Sequence, residues 1–218
     1  MEILSLPEPS FINELPILWN GPEDAKSLVI LAHGAGAPMD TEFMNYFAEE
    51  LSLSGARVLR FEFPYMALRR EGYGKRPPNG KKILFEAWGT IIKAVRNSFK
   101  GAIYIGGKSM GGRLATMIAD EYHVGGVICL GYPFYAPGKQ DKPRTEHLEN
   151  LKASTLILQG ERDSMGSKEV VSGYSLSGKV KIHWLPDGDH GLKPRKKSGF
   201  TERDNLNLAV KLISDFIS

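Results

Sequence analysis

The chain has 218 residues, of which 42% are hydrophobic and 24% are charged, and its formal net charge is +3. This length suits one α/β domain and is short for two, so we expect a single domain over residues 1–218. The small net charge gives no indication of a nucleic-acid or membrane partner, and no apolar run is long enough to span a bilayer.

The first residues and the single cysteine indicate the compartment. The segment MEILSLPEPSF has no basic stretch followed by an apolar one, so we expect no signal peptide. Cys129 lies in the apolar run 127–130 and has no second cysteine with which to form an internal disulfide, which suits a reducing environment. These features predict a soluble, cytoplasmic protein.

Six short apolar runs predict strands. Most are apolar at consecutive positions, as in strands that are covered on both faces. The run that begins at Val180 alternates instead and predicts an edge strand. The predicted strands are residues 27–32, 56–63, 102–105, 125–130, 154–159 and 180–185.

Helical patterns separate these strands. Asp40 is the predicted N-cap of a helix that carries Phe43, Phe47 and Leu51 on one face and ends at Gly55. Two longer apolar stripes are Leu84, Trp88, Ile91, Val95 and Phe99, and, near the C-terminus, Leu206, Ala209, Ile213 and Phe216. Strands that alternate with helices predict an α/β fold with a mostly parallel sheet of about six strands, covered by helices on both faces.

Ser109 lies in the pentapeptide GKSMG at residues 107–111, after a predicted strand and before the helical pattern at 113–118. This strand–turn–helix context is typical of a nucleophile elbow, in which a tight turn lifts the serine oxygen clear of the sheet. A glycine-rich turn that carries a serine by chance is the alternative. A phosphate-binding P-loop fits poorly, because Ala102 stands where that motif needs a glycine.

A serine nucleophile needs a base to take its proton, and the base needs an acid to orient it. Asp163 and His190 each follow a predicted strand, and both come after Ser109 in the order Ser, Asp, His. The sequence therefore predicts Ser109 as nucleophile, Asp163 as orienting acid and His190 as base. Glu161 competes for the role of the acid, and His147 is a rival base.

The first predicted strand ends in the small-residue loop HGAGAP at residues 33–38. Small residues allow backbone N–H groups to approach a bound carbonyl. We expect the N–H groups of Met110 and Ala35 to form an oxyanion hole, with Gly36 as the alternative donor. His33 is predicted to be a structural residue of this loop rather than a second base.

These motifs together resemble the α/β-hydrolase superfamily, and among its members the small, lidless, dienelactone-hydrolase-like proteins. The resemblance rests on residues 33–36, 107–111, 160–163 and 188–190. It implies the α/β-hydrolase fold without a full cap domain, and a reaction class but no substrate. Two departures stand out. Dienelactone hydrolases proper use a cysteine where this chain has Ser109, and the two leading strands of the full fold are not evident in residues 1–26.

The predicted activity is cleavage of a small carboxylic ester or thioester through an acyl-enzyme. The reaction requires no metal or organic cofactor, and no nucleic-acid or membrane partner is expected; the oligomeric state is not indicated. A peptidase or an acyltransferase on the same three residues is one alternative. A non-catalytic interaction module that keeps the fold is another.

Basic residues concentrate in three irregular connections at 64–82, 132–150 and 191–201. These hold 13 Lys and Arg against 4 Asp and Glu, a net charge of +9 against +3 for the whole chain. Such a distribution predicts a positive rim that attracts an anionic substrate. The candidate binding residues are Arg69, Arg70, Arg144 and Lys193. One alternative is that these loops carry charged residues only because they are exposed to solvent. Another is that a partner protein or nucleic acid docks on the rim.

Overall fold

The computed structural model describes residues 10–218, which form one eight-stranded sheet and its flanking helices. Most of the segment on which the absence of a signal peptide is predicted, residues 1–9, lies outside the described residues. The strands are β1 (Ser10–Ile12), β2 (Leu15–Asn20), β3 (Ser27–Ala32), β4 (Arg57–Phe61), β5 (Ala102–Lys108), β6 (Gly126–Leu130), β7 (Thr155–Gly160) and β8 (Val180–Leu185). The helices are α1 (Glu42–Leu53), α2 (Pro64–Arg70), α3 (Lys81–Ser98), α4 (Met110–Tyr122), α5 (Lys168–Val171) and α6 (Glu202–Ile217), with a 3-10 turn at Glu146–Leu148.

The strand order across the sheet is β1-β2-β4-β3-β5-β6-β7-β8. The six strands from β3 to β8 run parallel, while β1 and β2 are antiparallel to their neighbours. All six predicted strands are present, and β8 lies at the edge as its alternation predicts. The mostly parallel sheet is confirmed.

The predicted count of about six strands is too low by two. The missing pair, β1 and β2, is an antiparallel hairpin turned at Asn13 and Glu14, both with positive φ. Its pattern is hard to recognise because β1 has only three residues and β2 contains Pro16, which cannot donate a hydrogen bond to the sheet.

Helices cover both faces of the sheet, as predicted. Trp88 and Ile91 of α3 and Leu114 of α4 belong to the hydrophobic cluster on one face. Phe47 of α1 and Ile213 of α6 belong to the cluster on the other. The apolar stripes of the sequence therefore form the core.

The N-terminus of α1 differs from the prediction. Thr41, not Asp40, is the N-cap, and its hydroxyl accepts a hydrogen bond from the N–H of Met44 at 3.3 Å. Asp40 is instead paired with the Arg70 guanidinium at 2.9 and 3.0 Å. The cap thus falls one residue later because a distant arginine holds the aspartate.

The connection predicted as irregular over residues 64–82 is shorter than expected. Its first seven residues form α2, with Phe63 as N-cap and Pro64 in the first turn, and Lys81 already begins α3. A proline in the first turn is compatible with a helix, because that N–H would have no intrahelical partner. None of the helices formed by residues 10–218 combines the length and the apolarity needed to cross a membrane.

Candidate active site

Ser109 occupies a strained turn between β5 and α4. Its backbone has φ 51° and ψ −112°, a conformation that a non-glycine residue adopts only when its surroundings impose it. A Cβ at Gly107 or Gly111 would overlap the carbonyl oxygen of Ala32 on the neighbouring strand. The glycines of the pentapeptide are therefore required by the close approach of β3, and the Ser109 side chain makes no capping hydrogen bond to the helix.

Asp163 and His190 are in direct contact. Asp163 Oδ2 lies 2.7 Å from His190 Nδ1, and the Asp163 side chain is fully buried while that of His190 is 24% exposed. A carboxylate only accepts hydrogen bonds, so Nδ1 carries the proton and Nε2 is left as an acceptor. The loops after β7 and β8 thus bring the predicted acid and base together.

Gln159, at the end of β7, fixes the Asp163 carboxylate. Its Nε2 donates to Asp163 Oδ2 at 2.8 Å, and its Oε1 accepts from the N–H of Tyr132 at 2.7 Å. The N–H of Met165 donates to Asp163 Oδ1, also at 2.8 Å. We did not predict this role for Gln159; a polar residue at the end of an otherwise apolar strand was the available signal.

Glu161, the alternative acid, is used elsewhere. Its Oε1 lies 3.2 Å from Lys168 Nζ, and its Oε2 accepts from the N–H of Asp187 at 3.0 Å. Asp189 accepts from the N–H groups of Gly191 and Lys193 and so stabilises its own turn. Among the side chains of residues 10–218, Asp163 is the carboxylate that contacts the His190 ring.

The rival base His147 lies in a separate polar cluster. Its Nε2 is 2.9 Å from the Thr116 hydroxyl and 3.3 Å from the Tyr132 hydroxyl. Burial, together with the charges of Arg113 and Lys81, lowers the pKa of His147 to about 4. The structure does not bring His147 to the pocket that Ser109 lines.

His33 supports the backbone of its own loop. The ring is fully buried; Nδ1 donates to the carbonyl oxygen of Gly34 at 2.6 Å, and Nε2 accepts from the N–H of Phe63 at 3.1 Å. Burial lowers the pKa of His33, which favours this neutral form. Both ring nitrogens are occupied, so a structural role fits.

Ser109 and His190 line one pocket of about 710 Å³. Its walls are mostly apolar, with Phe43 and Met44 from α1 and Met165 from the loop after β7. None of the hydrogen bonds among residues 10–218 joins the Ser109 hydroxyl to His190; such contacts are commonly longer before substrate binds. The size and lining suit a small organic molecule.

The predicted oxyanion donors line the same pocket: Ala35, Gly36 and Met110. The Tyr65 hydroxyl donates to the carbonyl oxygens of Gly34 and Ala35, at 3.3 and 3.0 Å. In a trans peptide the N–H points opposite to the carbonyl of the preceding residue. The N–H groups of Ala35 and Gly36 therefore point away from Tyr65, and Tyr65 fixes their direction.

The predicted substrate-binding residues separate in the structure. Arg144 lines the pocket, whereas Arg69, Arg70 and Lys193 do not. Arg70 pairs with the buried Glu62 at 2.6 Å as well as with Asp40, and Lys193 pairs with Glu202 at 2.7 Å. Arg69 donates to the carbonyl oxygens of Gly36 and Arg76 and lies over the Tyr65 ring. Much of the basic rim is thus engaged in contacts within the chain.

Two further cationic residues, which we did not single out from the sequence, also line the pocket. Arg113 lies on α4, four residues after Ser109. Lys108 Nζ donates to the carbonyl oxygen of His190 and lies 5.1 Å from the centre of the Phe43 ring. Burial lowers the pKa of Lys108 to about 8, against the opposing effect of nearby carboxylates. Within residues 10–218, no three His, Cys, Asp or Glu side chains are grouped to hold a metal ion.

Comparisons with known proteins bear on the family and the fold of this chain. A family model described as "Alpha/beta hydrolase domain" matches residues 25–218. An alpha-beta serine hydrolase homologue from Coxiella burnetii superposes with a TM-score of 0.69 at 16% identity, over 94% of this chain and 92% of that one. A serine hydrolase without a lid from Xanthomonas campestris superposes with a TM-score of 0.68 at 16% identity, over 93% of this chain and 89% of that one. A dienelactone hydrolase from Anabaena variabilis superposes with a TM-score of 0.70 at 18% identity, over 94% of this chain and 93% of that one. At these identities the structures share the fold.

Proposed function

The chain belongs to the alpha/beta hydrolase domain family, and from this premise we propose that it is a serine hydrolase that cleaves a carboxylic ester or thioester. It acts as a single domain and uses no metal or organic cofactor. The observation that carries the proposal is the shared pocket: Ser109 on a strained turn lines it together with His190, whose ring is held by the buried Asp163.

In the first half-reaction, Ser109 Oγ attacks the acyl carbon while His190 Nε2 takes the hydroxyl proton. Asp163 keeps the Nδ1 proton in place and stabilises the imidazolium. The tetrahedral intermediate then collapses, the bond to the leaving group breaks, and His190 protonates the departing alcohol or thiol. The product of this step is an ester between the acyl group and Ser109.

In the second half-reaction, His190 takes a proton from water as the water oxygen attacks the acyl-enzyme. The bond between the acyl carbon and Ser109 Oγ then breaks, His190 returns the proton to Ser109 Oγ, and the carboxylic acid is released. The oxyanion of both intermediates accepts hydrogen bonds from the N–H of Met110 and that of Ala35, with Gly36 as the alternative. These donors are fixed before substrate binds, because helix α4 and the Tyr65 hydroxyl determine their directions.

A peptidase or an acyltransferase would use the same steps with another leaving group or acceptor. The apolar pocket supports a small acyl substrate, and no observation favours either alternative. A non-catalytic interaction module would not need a non-glycine residue in a strained conformation at the head of the pocket.

The test is covalent labelling by a fluorophosphonate, with the labelled peptide identified by mass spectrometry. We expect label at Ser109 and none in Ser109→Ala, while Ser54→Ala, an exposed serine at the end of α1, labels normally. The Ser109→Ala variant should lose about 10⁴-fold or more in kcat and remain folded.

A panel of esters, thioesters, anilides and short peptides defines the reaction class. We expect turnover of esters and thioesters and little or none of the amides. Labelling at another serine, or full activity in Ser109→Ala, would contradict the proposal.

A further inference from the structure

Arg113 is held close to Ser109 by helix α4. Its backbone N–H donates to the carbonyl oxygen of Ser109 at 3.0 Å, so the two residues are one helical turn apart, about 6 Å along the axis. Both residues line the pocket. A group bound by the Arg113 guanidinium therefore lies within reach of an acyl group that is attached to Ser109.

Arg144 reaches the same pocket from the connection between β6 and β7. Its backbone is fixed on both sides: the N–H donates to the carbonyl oxygen of Phe134 at 2.7 Å, and its own carbonyl accepts from the Tyr132 hydroxyl at 3.0 Å. Although this connection is irregular, Arg144 is thus anchored to buried aromatic residues. The backbone of Arg144 is therefore placed at the pocket before a ligand arrives.

The two guanidiniums have no carboxylate partner. Within residues 10–218 neither forms an ion pair, and no Asp or Glu lines the pocket. Arg113 Nε is buried and has no hydrogen-bond partner among those residues. Burial and the neighbouring Arg113 both lower the pKa of Arg144. By contrast, Arg70, Arg195 and Lys193 outside the pocket are each paired with an acid.

Two like charges that are partly removed from water and lack a counter-ion are costly to a fold. An anionic ligand would offset that cost, and a guanidinium is well suited to it because it donates two parallel hydrogen bonds to a carboxylate or phosphate. Both unpaired guanidiniums belong to residues that line the pocket.

We infer that the substrate carries a second, negatively charged group, a carboxylate or a phosphate-like oxyanion, and that Arg113 and Arg144 bind it. The inference rests on the proposed ester cleavage and specifies its substrate class. The separation of about one helical turn suits an anion a few carbons from the scissile carbonyl. The apolar walls would then contact the intervening chain.

The experiment uses three esters of one chain length: monomethyl adipate, methyl 5-phosphonopentanoate and the neutral methyl hexanoate. Acid release at constant pH gives kcat/KM at low salt. We expect one or both anionic esters to exceed methyl hexanoate by about tenfold or more. The better of the two anions identifies the oxyanion chemistry, and added salt should reduce the preference.

The variants Arg113→Gln and Arg144→Gln should each lose most of the ratio of kcat/KM between the anionic ester and methyl hexanoate. Circular dichroism and thermal melting show that these variants fold. The Lys variants at these positions should keep part of the preference, because they retain the charge without the planar fork. Lys211→Gln on α6, where the lysine is exposed and paired with Asp215, is the control for a change of net charge and should leave the preference intact.

Binding of monomethyl adipate to Ser109→Ala, measured by calorimetry, separates this inference from the proposed function. If the double variant Ser109→Ala/Arg113→Gln binds monomethyl adipate about tenfold more weakly than Ser109→Ala, the anion site is supported even if no ester is hydrolysed. Hydrolysis of all three esters at equal kcat/KM, or equal binding with and without Arg113, overturns the inference and leaves ester cleavage standing.

Discussion

Asp163 Oδ2 lies 2.7 Å from Nδ1 of His190, although the two residues are 27 positions apart and follow different strands. β7 and β8 are parallel neighbours, so their carboxyl ends meet at one edge of the sheet. The contact is backed by Gln159, whose amide donates to the same carboxylate oxygen. The proton on His190 is thereby held at Nδ1, which leaves Nε2 as an acceptor.

Replacing Asp163 by Asn should reduce kcat by about 10⁴-fold with little change in the fold, because an amide can donate to Nδ1 and hold the wrong tautomer. The matched control is Glu161→Gln, which loses a partly exposed ion pair with Lys168, keeps an amide oxygen that can accept from the Asp187 N–H, and should stay within about threefold. Steady-state kinetics on one activated ester compares the two. A severe loss in Glu161→Gln with a mild one in Asp163→Asn would show that the acid has been misassigned.

Replacing His190 by Ala should approach the loss seen in Ser109→Ala, since the residues of such a site act as a unit. The control is His147→Gln, which keeps a polar partner for Thr116 and lies outside the pocket. Added imidazole should partly restore His190→Ala by binding beside Asp163, and it should have no effect on Ser109→Ala. If His147→Gln loses activity and His190→Ala keeps it, the assignment of His190 as the base is wrong.

The sheet and the positions of Ser109, Asp163 and His190 along it could be predicted because they depend on local pattern and chain order. A buried parallel strand is apolar throughout, and residues that follow such strands meet at one edge. The hairpin of β1 and β2 could not be recognised in this way, since three residues and a strand with Pro16 carry too little pattern.

Charge pairing could not be predicted from the sequence, because it depends on which residues the fold brings together. Arg70 and Lys193 looked like free cations of a rim, but Glu62, Asp40 and Glu202 neutralise them. The same contacts explain why Thr41 and not Asp40 caps α1. Arg113 has a local signal that was available, its position one helical turn after Ser109 on the predicted helix.

Lys108 is expected to act as a positioning residue for the loop that carries His190. Its Nζ donates to the His190 carbonyl oxygen, so Lys108→Met should lower kcat by about tenfold while KM for a neutral ester changes little. Lys108→Arg should recover part of the loss, whereas Lys211→Met on the exposed face of α6 should behave as the parent. A fall in thermal stability without any fall in kcat would restrict Lys108 to a structural role.

His147 should make stability depend on pH in the acidic range. Burial, with Arg113 and Lys81 nearby, lowers its pKa to about 4 in the folded protein, against about 6.5 in the unfolded chain. Between these values the unfolded chain binds more protons than the folded one, so the free energy of unfolding decreases as pH falls from about 6.5 towards 4. The contribution is fully present above about pH 6.5.

In His147→Gln, which cannot be protonated, this part of the decrease should be absent, and urea midpoints at pH 7, 5.5 and 4.5 should fall less steeply than in the parent. Because the glutamine can still bond to Thr116 and Tyr132, a lower midpoint at pH 7 would report the lost packing alone. Parallel curves for the two proteins would contradict the assignment of the titration to His147.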